Sequence, residues 1–251
     1  MSCVDIRGCR IGEGRPKVIL PIVERAEAAI LEKAAQFSTL QADCVEWRVD
    51  YFEGARAPGA VARCLAKMRV ILRDKLLLVT FRTKAESGEQ ALSHPEYLAF
   101  LRLILDTDCA DLLDIEFFTA GADLPHLVGH DAEDLLAVVC SSHDFTKTPP
   151  RAELVCRMVQ MQQAGADLPK VAVMPQSRTD VLELLAATAE MADLHPETPV
   201  ITMSMGALGA VSRLAGEAFG SAMTFANPGQ ASAPGQVSLN IVNDVLDALH
   251  L

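Results

Sequence analysis

Apolar and polar positions follow one another along this chain in two alternating patterns, and the alternation predicts the fold. Short apolar runs, several with period-2 alternation and β-branched residues, predict strands, whereas stretches with apolar residues three and four positions apart predict amphipathic helices. The predicted strands cover residues 17–20, 45–49, 76–81, 112–117, 136–141, 170–173, 200–204 and 222–225. The predicted helices cover residues 24–37, 59–72, 95–105, 123–130, 151–164, 179–192, 208–219 and 237–249.

Eight strand-then-helix rounds indicate a parallel sheet, and closure into a (β/α)8 barrel leaves no unpaired edge. The 251 residues suit one barrel domain spanning 1–251, because this architecture takes about 250 residues. An open doubly wound sheet is the alternative, but no glycine-rich dinucleotide motif follows any strand. Before the first round, residues 2–6 and 9–11 alternate around Gly8 and predict a β-hairpin that closes one end.

Polar residues occupy the face of several predicted strands that should fill the barrel. The alternation places inward the side chains of Glu46, Arg48, Asp50, Thr80, Arg82, Asp114, Glu116, Ser141, His143 and, on a fifth strand, Lys170. Charged groups there are costly unless they are paired or functional. A single such pair could be a structural ion pair, but five polar strands favour a catalytic interior at the C-terminal strand ends.

Lys170 begins a short apolar run bracketed by Pro169 and Pro175. Period 2 places Lys170 and Ala172 on one face of this strand, and directs Lys170 inward. An ammonium group moved into apolar surroundings loses hydration, which favours the neutral amine, a nucleophile toward carbonyl carbon. Lys170 is therefore either a Schiff-base lysine or a strand-end lysine whose head reaches water.

Composition and charge narrow the function further. Half of the residues are hydrophobic, 22% are charged and the net charge is −11. With no Lys/Arg-rich run, this charge argues against nucleic acid and against an anionic membrane surface. No run is long enough for a membrane span, the first residues do not resemble a secretory signal, and the seven scattered cysteines fit reduced thiols. We therefore expect a cytoplasmic protein.

Other histidine, cysteine and serine residues give weaker indications of a functional site. His126 and His130 have i,i+4 spacing without a carboxylate ligand signature, so a solvated helix face is favoured over a metal site. Cys140 fits an outward-facing core thiol. Ser232 lacks the context of a nucleophile elbow, which argues against a serine hydrolase.

Eight blocks of sequence, taken together and in order, carry a family resemblance. They are Glu46-Trp47-Arg48-Val49-Asp50, Thr80-Phe81-Arg82, Glu86-Ser87-Gly88-Glu89-Gln90, Ser142-His143-Asp144-Phe145, Pro169-Lys170-Val171-Ala172-Val173-Met174-Pro175, Met203-Ser204-Met205, Ser212-Arg213-Leu214-Ala215-Gly216 and Ala231-Ser232-Ala233-Pro234-Gly235-Gln236. The sequence thereby resembles the type I 3-dehydroquinate dehydratases of the shikimate pathway, from the predicted hairpin to the last helix.

The resemblance implies a (β/α)8 barrel, a homodimer, no metal and no cofactor. It implies that Lys170 forms an imine with the C3 ketone of 3-dehydroquinate, that His143 moves the C2 proton and assists loss of the C1 hydroxyl, and that Glu86 orients His143. The product is 3-dehydroshikimate. The implied substrate contacts are Glu46, Arg48, Arg82, Arg213, Ser232 and Gln236, the last two in a loop, residues 227–236, that closes over the ligand.

Two departures and two alternatives accompany this interpretation. Pro21 stands where many relatives have a serine, and residues 205–209 replace a more polar turn, so substrate affinity is affected rather than the chemistry.

A class I aldolase would also place a Schiff-base lysine on the sixth strand, but it would usually bind phosphate near the last two strands. A non-catalytic barrel that binds a carboxylate metabolite is the other alternative.

Overall fold

A β-hairpin opens the computed structural model, which describes residues 2–128, 136–229 and 235–251. Its strands β1 (Val4–Ile6) and β2 (Cys9–Ile11) pair antiparallel. Arg7 and Gly8 form the two-residue turn with φ of 52° and 77°, the left-handed values that the twist of a tight hairpin favours. Ile6 and Ile11 pack against the first residues of the barrel strands, so the predicted hairpin closes the N-terminal end of the barrel.

Eight parallel strands follow in chain order around a barrel. They are β3 (Lys17–Ile22), β4 (Cys44–Arg48), β5 (Leu76–Thr80), β6 (Leu112–Glu116), β7 (Ala137–Asp144), β8 (Leu168–Val173), β9 (Ile201–Ser204) and β10 (Met223–Asn227). A parallel bridge between Val200 and Ser221 joins β9 to β10, and Ala222 N–H donates to Val200 O over 2.8 Å. A short parallel strand, β11 (Val237–Ser238), pairs with β10. The predicted (β/α)8 fold and all eight predicted strands are confirmed.

Helices cover the outside of the sheet. They are α1 (Glu27–Ser38), α2 (Ala60–Leu72), α3 (His94–Leu105), α4 (Phe117–Ala120), α5 (Leu124–Leu127), α6 (Arg151–Gln163), α7 (Arg178–Leu194), α8 (Ala210–Leu214), α9 (Gly216–Phe219) and α10 (Leu239–Ala248). Ser93 and Ser177 start α3 and α7 with capping boxes, which supply the first backbone N–H groups with acceptors. None of the helices in the described ranges is long and apolar enough to span a membrane.

Two helix predictions were inaccurate. The predicted helix 208–219 is two short helices, because the backbone at Ala215 leaves helical values with φ −103° and ψ 22°. The predicted helix 123–130 contains the shorter α5, while residues 129 and 130, and with them His130, lie outside the described residues.

The strands separate an outer apolar layer from the barrel interior. Val171, Val173 and Cys140 belong to the outer layer that packs against the helices, whereas Ala172 belongs to the inner cluster. Apolar side chains fill the interior at its N-terminal end. Polar side chains occupy the C-terminal end, where the candidate site lies, and the inward alternation predicted for β8 is confirmed.

Candidate active site

A cavity of about 230 Å³ opens at the C-terminal ends of the strands. Of the nine predicted site residues, those that line it are Glu46, Arg48, Arg82, Glu86, His143, Lys170, Arg213 and Gln236. Ser232, the ninth, lies outside the described residues. The fold therefore brings together side chains from strands and loops that are far apart in sequence.

Lys170 lies deep in this cavity. Its side chain is only 3% exposed, and Nζ donates to Asp114 Oδ2 over 2.9 Å. Nζ also lies 4.9 Å from the centre of the Phe225 ring. The head of Lys170 does not reach bulk water, which excludes the alternative of a strand-end lysine with a solvated head.

Arg82 connects three carboxylates at the wall of the cavity. Its NH1 donates to Glu86 and Glu116 over 3.1 Å each, and NH2 donates to Asp114 over 2.8 Å. Burial lowers the pKa of the guanidinium, but the three carboxylates together hold it above its ordinary value. For the carboxyl group of Asp114, burial alone would raise the pKa, but the positive charges of Arg82 and Lys170 outweigh burial and hold that pKa below its ordinary value.

His143 and Glu86 form a buried pair. The distance from His143 Nδ1 to Glu86 Oε2 is 2.7 Å, and the imidazole stacks on Phe145 with ring centres 6.3 Å apart. Burial raises the pKa of Glu86 to about 8, although Arg82 opposes the shift. Burial and the positive charges of Arg82 and Lys170 lower the pKa of His143 well below its usual 6.5. Both shifts favour an uncharged pair, and Nε2 is the imidazole nitrogen not engaged with Glu86.

A tight loop after β5 positions Glu86. Gly88 N–H donates to Thr83 O over 2.8 Å, which turns the chain back on itself. A Cβ at Gly88 would lie 1.8 Å from Arg82 O, so a side chain there would push the loop away. The glycine of the Glu86-Ser87-Gly88 block is therefore required by the close backbone approach that brings Glu86 to His143.

Arg48 and Glu46 approach the cavity from β4. Two parallel hydrogen bonds of 2.8 Å run from Arg48 to Asp50, and the guanidinium lies over the Tyr51 ring at 5.0 Å. Thr80 donates its hydroxyl proton to Glu46 over 2.8 Å. The predicted strand 45–49 ends at Arg48, so Asp50 lies in a 3-10 turn, where it is buried and fixes the arginine.

Arg213 extends into the cavity from α8 and is only 2% exposed. Its NH1 donates to Met203 Sδ over 3.6 Å, and a thioether is a weak acceptor. Burial lowers the pKa of Arg213 to about 10, so the group stays positively charged at neutral pH. Thr224 holds the backbone in place by donating to Arg213 O over 2.9 Å. This is a desolvated cation suited to bind an anion.

Comparisons with known proteins show the family to which the chain belongs. The sequence profile described as Type I 3-dehydroquinase matches residues 18–251. The chain belongs to the type I 3-dehydroquinase family. It is 46% identical over 250 residues to the 3-dehydroquinate dehydratase of Bacillus subtilis (strain 168), covering 100% of this chain and 98% of that protein. It is 43% identical over 250 residues to that of Salmonella agona (strain SL483), covering 100% and 99%.

A solved structure supports the same family. The crystal structure of type I 3-dehydroquinate dehydratase from Clostridium difficile with covalently modified comenic acid superposes with a TM-score of 0.95 at 42% identity, covering 99% of this chain and 98% of that chain. The family resemblance carried by the eight sequence blocks is therefore confirmed.

Two buried acids of this type I 3-dehydroquinase received no role from its sequence. Asp114 and Glu116 were expected to point inward, and both side chains are fully buried. Their i,i+2 spacing on β6 was the available signal, but sequence could not show that Asp114 contacts Lys170. Across the described ranges, no group of three His, Cys, Asp or Glu residues could hold a metal ion. Pro21 lines a separate cavity beside Pro228, so its effect on substrate affinity stays a prediction.

Proposed function

We propose that this type I 3-dehydroquinase eliminates water from 3-dehydroquinate to give 3-dehydroshikimate, through an imine between Lys170 and the C3 ketone. The observation that carries the proposal is a buried lysine at the wall of a cavity that also contains buried arginines and a histidine bound to Glu86 through Nδ1. The family and the names of its relatives support the same reaction.

Substrate binding is assigned to the cations of the cavity. The substrate carboxylate binds Arg213, a buried guanidinium at the cavity wall whose contacts include the weak thioether acceptor of Met203. Arg48 and Arg82 also line the cavity, where Asp50 and three carboxylates respectively already bind them, while Glu46 is an acceptor for substrate hydroxyl groups. The buried charge of Arg213 explains how a protein with a net charge of −11 binds an anion.

Imine formation needs Lys170 as the nucleophile. The amine adds to C3, the ketone oxygen leaves as water, and the nitrogen retains one proton and a positive charge. In sum, an ammonium and a ketone become an iminium and water, so the step needs no net proton from outside. The iminium withdraws electrons from C3 and makes the C2 proton acidic.

His143 then carries out proton transfer. Its Nε2 accepts the C2 proton, while Nδ1 donates a hydrogen bond to Glu86, which orients the imidazole. The same proton next goes to the C1 hydroxyl, which departs as water. A single histidine can serve both half-steps because the second returns it to its starting state.

The chemistry requires that bulk water be kept away from the iminium until elimination is complete. Gln236 lines the cavity at one end of the predicted closing loop. Residues 230–234 of that loop lie outside the described residues, so its closure over the substrate stays a prediction.

Borohydride trapping tests the proposal. Borohydride added with 3-dehydroquinate should inactivate the enzyme and leave one reduced adduct on the peptide that contains Lys170. Lys170→Met should show neither adduct nor the absorbance of the enone-carboxylate product, whereas the control Lys147→Met, at an exposed lysine, should show both. An adduct on another lysine, or full turnover without one, contradicts the assignment. Binding without turnover would favour the non-catalytic barrel.

We also propose that the chain is one barrel domain, forms a homodimer and works in the cytoplasm. The family resemblance supports the homodimer, and the seven free cysteines support a reducing compartment. Sedimentation equilibrium of the purified protein tests the dimer. A monomer at micromolar concentration would contradict it.

A further inference from the structure

Asp114 is a buried carboxylate that the mechanism above does not use. It lies in the middle of β6, is 0% exposed, and divides its two oxygen atoms between different partners. Oδ2 accepts from Lys170 Nζ over 2.9 Å, whereas Oδ1 accepts from Arg82 NH2 over 2.8 Å and from the Ser141 hydroxyl over 2.6 Å. One oxygen is therefore held by groups that stay unchanged, and the other meets the atom that reacts.

Fixed backbone geometry keeps this contact available during the reaction. Lys170 and Asp114 sit on strands β8 and β6, and both strands pair with β7, at Ser141 and Val139 respectively. When the amine becomes an iminium, the nitrogen keeps one proton and its positive charge. That N–H⁺ remains tethered to β8, within the region where Oδ2 now accepts a hydrogen bond.

Among the described residues, Asp114 is the carboxylate hydrogen-bonded to the Lys170 nitrogen. Glu46, an acid of the same cavity, instead accepts from Thr80. The centre of the Phe225 ring lies 4.9 Å from Lys170 Nζ, but an aromatic ring carries no net negative charge. Glu86 is directed toward His143 and Arg82, and Glu116 toward Arg82 and Thr83. Arg82 and His143 present no negative charge.

We propose that Asp114 is a catalytic residue, the counter-ion that keeps the Lys170 imine protonated. This proposal rests on the proposed function, since it requires the imine. A protonated imine is a strong electron sink and a neutral one a weak sink, so the counter-ion maintains the acidity of the C2 proton. A charge-assisted hydrogen bond in a water-poor site is well suited to this.

The electron flow shows why the carboxylate is shared with Arg82. As His143 removes the C2 proton, the C2–H electron pair forms the C2–C3 double bond and the C–N π pair moves onto nitrogen, which becomes uncharged. Loss of the C1 hydroxyl, protonated by His143, draws that pair back and regenerates the conjugated iminium. An unshared carboxylate would overstabilise the iminium relative to the uncharged enamine. The bonds from Arg82 and Ser141 to Oδ1 moderate its charge.

The test uses His143→Ala as a parent, because elimination stalls in that variant and the imine accumulates. Cyanoborohydride reduces a protonated imine far faster than a neutral one, whereas borohydride reduces both. The ratio of the two trapping rates at Lys170, measured by peptide mass from pH 6 to about 9, therefore reports protonation independently of how much imine forms. In the parent, this ratio should stay flat over the pH range in which an alkylamine imine of a model ketone loses its proton.

Asp114→Asn in the same parent should lower the ratio at least about tenfold at the alkaline end, which corresponds to one pKa unit or about 1.4 kcal/mol. Glu116→Gln is the matched control, since Glu116 lies two residues away, is equally buried and shares Arg82 but does not contact Lys170. Its ratio should match that of the parent. Equal ratios in the Asp114→Asn and Glu116→Gln proteins would overturn the counter-ion role.

Two further outcomes also decide. If Asp114→Asn does not fold, the parent ratio is decisive, because a ratio that falls with pH as it does for the model imine would overturn the proposal. Absence of any borohydride adduct in the parent would overturn the proposed function, and the counter-ion with it. A clear adduct, with a trapping ratio in the Asp114→Asn protein equal to that in the parent, would overturn the counter-ion role alone.

Discussion

Asp111 and Asp114 are three residues apart, and both are buried carboxylates bound by arginine, yet they belong to opposite ends of the barrel. Asp111 accepts hydrogen bonds from Arg7 of the hairpin, from Arg69 of α2 over 2.6 Å and from Leu77 N–H over 2.8 Å. Its partners come from three separate elements, so the carboxylate joins the hairpin, a helix and a strand.

The two acids differ in whether their hydrogen-bond partners can take part in a reaction. The donors to Asp111 are guanidinium groups and a backbone N–H, which hold the hairpin, the helix and the strand together but do not react. Apolar side chains such as Ile6 and Ile11 pack in the same end of the barrel. Asp114 instead binds an amine that faces a cavity of about 230 Å³. Similar chemistry thus joins elements of the fold at one end and meets a reactive group at the other, because Asp111 binds guanidinium groups and a backbone N–H, whereas Asp114 binds an amine that faces the cavity.

The largest expected effect is at the C-terminal end. His143→Ala should lower kcat by about 10⁴-fold or more, since general acid–base help is typically worth about 10²–10⁴-fold and His143 serves as both base and acid. Lys170 should still form the imine, so mass spectrometry with 3-dehydroquinate should show accumulated adduct with little product released. The midpoint of urea unfolding should change little. Normal turnover would transfer the proton role to another residue, with Glu86 or Glu46 the next candidates.

The sequence predicted the site well where strand alternation alone decided the direction of a side chain. Glu46, Arg82 and Lys170 were placed inward by period 2, and all three line the cavity. Alternation cannot give distances across the barrel, so the contact of Lys170 with Asp114 and the three carboxylates around Arg82 became visible only in three dimensions. Glu86 was assigned from the family resemblance, because it lies in a turn that has no period.

The N-terminal end should respond in the opposite way. Asp111→Asn should lower the free energy of unfolding by about 1.5–3 kcal/mol, the usual range for a hydrogen bond to a charged group, because Arg69 and Leu77 N–H then face a weaker acceptor. The kcat of the folded variant should remain that of the wild type. Urea unfolding together with steady-state rates checks both statements. A variant with normal stability and reduced kcat would mean that the two ends are not functionally separate.

The smallest effect concerns pH and the cost of the buried pair at the C-terminal end. Burial raises the pKa of Glu86 from 4.5 to about 8, so its contribution to stability is complete below pH 4.5 and is lost as pH rises through 8. Burial lowers the pKa of His143 well below 6.5, so its contribution is complete above pH 6.5 and is lost as pH falls. The two slopes oppose each other below pH 6.5, and above it Glu86 acts alone.

We therefore expect the stability of the wild type, measured against Glu86→Gln, to fall by about 1–2 kcal/mol between pH 6.5 and 8, since one proton contributes at most about 1.4 kcal/mol per pH unit. Glutamine keeps the shape of the side chain and does not titrate, so subtracting the two urea-unfolding curves cancels all groups that both proteins share. Asp111→Asn is the control at the other end and should leave the pH dependence between 6.5 and 8 as in the wild type. A difference between wild type and Glu86→Gln that stays constant or rises over this range would show that the folded protein does not retain the Glu86 proton, and that the pair with His143 is charged before substrate binds.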